Sequence, residues 1–317
     1  MALSAGEQAV DAWASGIAEL SRDNRSGASE LEIRAIDLLN EFVGDSSVGA
    51  SAMESRRWLL RAGRQLIGAQ PAMANLFRLV NDLLWACESA TRPEDVHQNA
   101  LAFLQLRRAR QDAAQEAMAH VAAAYLATHG TLMTYSRSAA VLSTLQLLAQ
   151  GRHLKRVYCS EARPMLEGQT LATELGWAGV PVVLGIDMAL FGWLRQVEAL
   201  VVGVDTLSSS GVVNKLGTTA LVRAAGERAI PRIVLCTTTK FVPDAYRLAD
   251  PLPLHAAEEI MPPADNIEIR NAYFEVTPLE AFSLVITETG AHNIAKVRSD
   301  LAALRIHPGL QGMLDGR

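Results

Sequence analysis

The 317-residue sequence holds no run of about 18 uninterrupted apolar residues, the least that crosses a bilayer as a helix. Its opening stretch, MALSAGEQAVDAW, carries acids where an export signal would carry a basic segment followed by an apolar one. Both absences lead to the expectation of a cytoplasmic chain with no membrane partner. Cysteine is scarce: Cys87, Cys159 and Cys236 show no C-x-x-C spacing, so free, largely buried thiols are expected rather than disulfides. Seven scattered histidines include no H-x-x-x-H pair, and neither a metal nor another cofactor is expected. Positive charge is not in excess. With 29 Lys and Arg against 34 Asp and Glu, the net charge of -5 argues against a protein whose main task is to hold a nucleic-acid backbone, and leaves small anionic ligands open. There is no Walker or G-x-G-x-x-G spacing, no internal repeat and no low-complexity stretch.

What is present is a chain that is 50% apolar, enough to bury a substantial core. The first 128 residues read almost entirely as helix. Ser29-Glu30-Leu31-Glu32 has capping-box spacing, followed by Leu31, Ala35, Leu38, Leu39 and Phe42 at helical intervals. Similar patterns fill 54–68, 74–90 and a long stretch from Pro93 that His129-Gly130 should end. After Gly130 the rhythm changes to short apolar, partly β-branched runs at 131–134, 156–159, 181–185, 199–204, 232–236 and 283–287, separated by helical segments. That alternation predicts an α/β fold: a helical domain over 1–125, then a Rossmann-like, doubly wound parallel sheet over 126–317, with the boundary inside the long helix.

In such a sheet, ligands gather at the carboxyl ends of the strands. Those ends carry Tyr135-Ser136-Arg137, Glu161 to Pro164, Asp187, Asp205, Thr237 to Lys240 and Glu288. In V-G-V-D-T-L-S-S-S-G-V-V-N-K-L-G-T-T, residues 202–219, Asp205 closes a strand and Asn214-Lys215 precede Gly217-Thr218-Thr219. If these last open a helix, its free N–H groups and Lys215 offer a phosphate a seat. The plainer alternative makes Lys215 a solvated lysine and Asp205 a turn former. Arg163, directly before Pro164, is held extended and suits bidentate binding of an anion, or a brace to Glu161 or Glu167. Cys159, inside a strand, reads as a packed thiol rather than a nucleophile.

The ordered motifs T-Y-S-R-S, S-E-A-R-P-M-L-E-G, V-G-V-D-T-L-S-S-S-G-V-V-N-K-L-G-T, T-T-K-F, N-A-Y-F-E-V-T-P and V-I-T-E-T-G resemble the translation initiation factor 2B alpha/beta/delta subunit family. Methylthioribose-1-phosphate isomerase and ribose-1,5-bisphosphate isomerase belong to the same family. The likeness runs over about 130–290, with weaker echoes at 23–31 and 70–77. It implies a phosphosugar site between the two domains and a dimeric building unit. It also implies that Asp205 matches the isomerases' acid/base aspartate, that Asn214 and Lys215 match the substrate-touching pair, and that Lys240 lies close by.

This sequence departs from the isomerases at several of these positions. Tyr135 replaces their cysteine, within a Y-S-R stretch like that of the initiation-factor subunits. Gln70 replaces an arginine, and Glu167 replaces the glutamine of an L-Q-G motif. At the R-G-A motif only Gly27 and Ala28 match, with Arg25 one position away from its expected place. A phenol is a poor proton carrier at neutral pH unless Arg137 or Lys240 lowers its pKa, and Glu167 repels a doubly phosphorylated ligand. The resemblance therefore implies first a regulatory protein binding a phosphosugar or nucleotide phosphate. That protein would lack the isomerase cysteine and use Tyr135, Ser136, Arg137 and Arg163 at the ligand. The alternative is an aldose-ketose isomerase of a phosphorylated pentose, with Asp205 as acid/base and Tyr135 or Ser136 in place of the thiol. Expected partners are a small phosphorylated metabolite and further copies of the chain, with a translation factor as a further candidate.

Overall fold

The computed structural model describes residues 5–23, 26–45, 50–243, 246, 252 and 254–314. Its first part is five helices: α1 (Ala5–Arg22), α2 (Ala28–Asp45), α3 (Ala52–Ala69), α4 (Ala74–Cys87) and α5 (Pro93–Leu126). Local chemistry sets their starts. The Ser51 side chain accepts from the Glu54 N–H at the head of α3. Pro93 opens α5 where its missing N–H costs nothing, with Glu94 and Asp95 complementing the positive end of the helix dipole. Leu31, Ile36 and Leu39 of α2, Leu66 of α3, and Leu76, Leu79 and Leu83 of α4 meet in a closed core.

The capping-box reading of Ser29 and Glu32 fails. Helix α2 is already under way at Ala28. Glu32 is buried, its carboxylate 2.7 Å from Arg107 of α5 and accepting from Asn75 at 3.3 Å. Burying a carboxylate demands such partners, and this demand overrides the local capping preference.

Among the described residues ten strands follow: β1 (Thr131–Met133), β2 (Arg156–Ser160), β3 (Val182–Gly185), β4 (Ala199–Val202), β5 (Thr206–Ser208), β6 (Gly211–Lys215), β7 (Arg232–Leu235), β8 (Phe274–Thr277), β9 (Leu284–Thr287) and β10 (Gly290–His292). Between and after them lie α6 (Ala139–Gln150), α7 (Glu167–Trp177), α8 (Ala189–Trp193), α9 (Thr218–Gly226), α10 (Ile294–Ala302) and α11 (Pro308–Leu314). The main sheet has the order β10-β9-β7-β4-β1-β2-β3. All its pairings are parallel except β9 with β10. Successive residues of one strand go to opposite faces: Leu132, Val201, Ile233 and Ile286 pack under α5 and α6, while Met133, Leu200, Val234 and Val285 pack on the other side. Burial on both faces is why these strands read as unbroken apolar runs.

The six parallel strands fall where the apolar runs predict them. The second sheet, β5-β6-β8, was not legible in the sequence; a helix does open at Thr218 as expected, but Asn214 and Lys215 reach it from a strand. Asn214 and Lys215 sit on β6, opposite Glu275 and Phe274 of β8. Helix α5 contributes Val96, Ala100 and Leu104 to the helical core and Met118, Ala119, Ala122 and Leu126 to the sheet core.

Candidate functional site

Strand β1 connects onward to β2 on one side, while β4 connects onward to β7 on the other. The carboxyl ends of β1 and β4 therefore flank the point where the sheet changes direction and a crevice opens. A cleft of about 540 Å³ lies there. Ser26, Gly27, Glu30 and Met73 come from the helical side, Ser136, Arg137, Glu167, Asp205, Asn214 and Lys215 from the sheet side, and Tyr273 and Phe274 from the start of β8.

Asp205 directly follows β4, and its N–H donates to Val213 O at 3.0 Å, which seats it on the β5–β6 hairpin. Burial pushes its carboxyl above the ordinary carboxylate range. Lys240 and then Lys215 pull it back, and Glu167 adds a smaller upward push. Lys240 is itself buried, with Nζ donating to Val204 O at 2.6 Å, and it stands behind Asp205 rather than in the cleft lining. Lys215 is buried with its ammonium 2.6 Å from Glu167 Oε1 and 5.1 Å from the centre of the Tyr273 ring. Asn214 reaches Thr218 Oγ1 at 3.4 Å.

Glu167 begins α7. Its Oε1 also accepts from Ser136 Oγ at 2.8 Å, and its Oε2 is buried without a hydrogen-bond partner. The position is fixed by the next residue, because a Cβ on Gly168 would lie 1.8 Å from the Ser160 carbonyl oxygen. Only glycine lets the start of α7 approach the end of β2 so closely. Arg137 donates from Nε and Nη2 to the two oxygens of Glu174, both at 2.9 Å, and from Nη1 to Glu30 at 3.0 Å. The Glu174 contact foremost holds the guanidinium pKa well above its usual value. It is a clasp between α7, the β1–α6 loop and α2.

Several expectations are corrected by this geometry. The N–H groups of Gly217 and Thr219, at the start of α9, both donate to Glu275 Oε1 at 2.8 Å. The seat expected for a phosphate is therefore filled by the chain's own carboxylate. Tyr135 lies outside the cleft lining, buried under Gly217, with its hydroxyl donating to Leu216 O at 2.6 Å. Burial, then Asp187, Glu167 and Glu275, raise the phenol pKa further, opposite to the lowering that Arg137 or Lys240 would have given. Arg163 is exposed and outside the lining. Its backbone N–H and that of Ala162 donate to the Asp187 carboxylate, each at 2.9 Å.

Ala28 is buried in the helical core, whereas Gly27 lines the cleft, and Arg25 lies outside the described residues. Gln70 braces the last turn of α1 and the residue after it, donating to Leu20 O at 2.7 Å and Asp23 O at 3.0 Å. The three cysteines are free and buried, as the sequence predicted, and burial pushes Cys159 and Cys236 up to about 12 and Cys87 to about 11. Sequence reasoning did not single out Glu30, Tyr273 or Glu275, although each stood inside a quoted motif.

No described helix is long and apolar enough to cross a membrane. The chain is 28% identical over 276 residues to the ribose 1,5-bisphosphate isomerase of Archaeoglobus fulgidus, covering 84% of each. It is 29% identical over 282 residues to the putative translation initiation factor eIF-2B subunit 2-like protein of Pyrococcus horikoshii, covering 86% of this chain and 93% of that one. Among solved structures, the translation initiation factor eIF-2B of Pyrococcus horikoshii superposes with a TM-score of 0.73 at 26% identity, over 90% of this chain and 96% of that one. The model of the Initiation factor 2 subunit family matches residues 24–294, and with the helical region, the sheet and the cleft in agreement, the chain belongs to that family.

Proposed function

We propose that the protein is an aldose-ketose isomerase acting on a phosphorylated pentose, with Asp205 as its acid/base. The observation that carries this reading is a carboxyl group on the cleft wall, flanked by Lys240 behind it and Lys215 in the lining, whose pKa burial raises and the two lysines pull back. Isomerisation moves a proton between adjacent carbons, which calls for a carboxylate that takes the proton from one carbon and returns it to the next. Lys215 offsets the negative charge that builds on the neighbouring oxygen. Ser136, whose hydroxyl is oriented by Glu167, exchanges the oxygen-bound proton on the other side. Similarity to ribose 1,5-bisphosphate isomerases supports this chemistry over a purely regulatory role.

The test is solvent deuterium incorporation, followed by NMR, into ribose 1-phosphate, ribose 1,5-bisphosphate and methylthioribose 1-phosphate. Exchange by the wild type that vanishes in Asp205→Asn is the expected result; no exchange with any of the three refutes the isomerase. Binding without exchange instead favours the regulatory reading, which rests on Tyr135 standing where the isomerases carry a cysteine. We place the chain in the cytoplasm. Exposed Leu184, Ile186 and Met188, on and just beyond edge strand β3, fit an assembly of copies of the chain.

A further inference from the structure

We infer that the cleft selects sugars carrying a single phosphate and rejects bisphosphates, and that Glu167 is the residue that makes the choice. This rests on the reading of the cleft as a phosphosugar site, and it narrows the ligand class in a direction opposite to the bisphosphate for which the ribose 1,5-bisphosphate isomerases are named.

On the sheet side of the cleft, each cation of the lining and the N–H pair that opens α9 are already matched from within the chain. The ammonium of Lys215, which is buried, has the Glu167 carboxylate at 2.6 Å. The guanidinium of Arg137 is matched by Glu174 at 2.9 Å and Glu30 at 3.0 Å. The N–H groups at the start of α9 belong to Glu275. Lys240 is turned away to Val204 O beside Asp205. Among the described lining residues, the two cations Arg137 and Lys215 face the carboxylates Glu30, Glu167 and Asp205. A second phosphoryl group, adding close to two negative charges, would have to displace one of these carboxylates or lie beside it in a partly desolvated space where like charges repel strongly.

Glu167 is the carboxylate placed to decide. It is held at the start of α7 by the tight approach at Gly168, so it cannot simply withdraw along the helix. Its Oε1 already joins Lys215 to Ser136, and a carboxylate in that arrangement accepts from hydroxyl groups. The end of the sugar that meets Lys215 is therefore an uncharged hydroxyl, and the phosphate belongs at the other end. Replacing Glu167 with glutamine keeps the shape and the bond from Ser136, removes the negative charge and frees Lys215 for a phosphate.

The test is isothermal titration calorimetry at fixed ionic strength, with ribose 1-phosphate, ribose 5-phosphate and ribose 1,5-bisphosphate as probes. All proteins carry Asp205→Asn, so that nothing turns over. The expected result is that one of the monophosphates binds at least about tenfold more tightly than the bisphosphate, and that adding Glu167→Gln shrinks the ratio by about tenfold or more. A parent protein that prefers the bisphosphate overturns the inference whether or not the Glu167→Gln variant folds. A ratio unchanged by the substitution overturns it too, and neither of these results touches the proposed isomerase. Failure of all three sugars to bind overturns this inference while leaving the proposed isomerase its remaining candidate, methylthioribose 1-phosphate.

Discussion

Gly168→Ala asks whether the start of α7 is held as tightly as the geometry requires. The added Cβ would sit 1.8 Å from the Ser160 carbonyl oxygen and 2.9 Å from the backbone carbon of Glu161, and neither atom is a flexible side-chain tip that can swing aside. Relief to the 3.0 Å below which real contacts are essentially never found takes a shift of at least 1.2 Å, the difference between 3.0 and 1.8. The shift must come from the first turn of α7 or the end of β2. Overpacking of this kind costs about 1–3 kcal/mol. For a chain of this size, that lowers Tm by roughly 1.5–4.5 °C. The same movement draws Glu167 from Lys215 and Ser136, whose contacts at 2.6 and 2.8 Å leave no slack for it. Differential scanning calorimetry reads the first effect and sugar-phosphate titration the second. An alanine variant with wild-type Tm and wild-type ligand preference would refute the account of how Glu167 is positioned.

Two further outcomes follow from the titrating groups. Because the folded protein holds Asp205 above its ordinary 3.8, it binds more protons than the unfolded chain between that value and the raised one, so this group's contribution to stability falls as pH rises through that window. Each unit of upward displacement is worth about 1.4 kcal/mol, so Asp205→Asn should raise Tm at neutral pH and flatten this part of the pH dependence; a lower Tm for the variant would show that the carboxylate is stabilised in place. Tyr135→Phe removes only the bond to the Leu216 carbonyl, worth about 1 kcal/mol, and should leave deuterium exchange into a turned-over sugar intact. Loss of exchange would return the phenol to the chemistry.

The parallel strands were legible because a strand covered on both faces must be apolar at nearly every position, as in R-I-V-L and L-V-I-T. The β5–β6 hairpin was not: T-L-S and G-V-V-N-K are too short to show a period of their own, and Asn214 and Lys215 at the end of β6 resemble the approach to a helix. At the site, the sequence brought forward Ser136, Arg137, Glu167, Asp205, Asn214 and Lys215, which the fold does assemble. What it could not convey was how these charges are answered. Arg137 finds Glu30 across 107 positions, and Gly217 finds Glu275 across 58. A lysine or a helix start is attractive to an anion only while no carboxylate of the chain reaches it first, and that is settled by tertiary pairing rather than by neighbours in sequence.

Helix α5, with 34 residues, runs for about 51 Å without a proline after its first position. Because one stiff rod is embedded by its first half among the helices and by its second half beneath the sheet, the two halves of the molecule cannot swing about each other as jaws do. Melting should then proceed as one event, with no stage at which the helical part has come apart while the sheet endures.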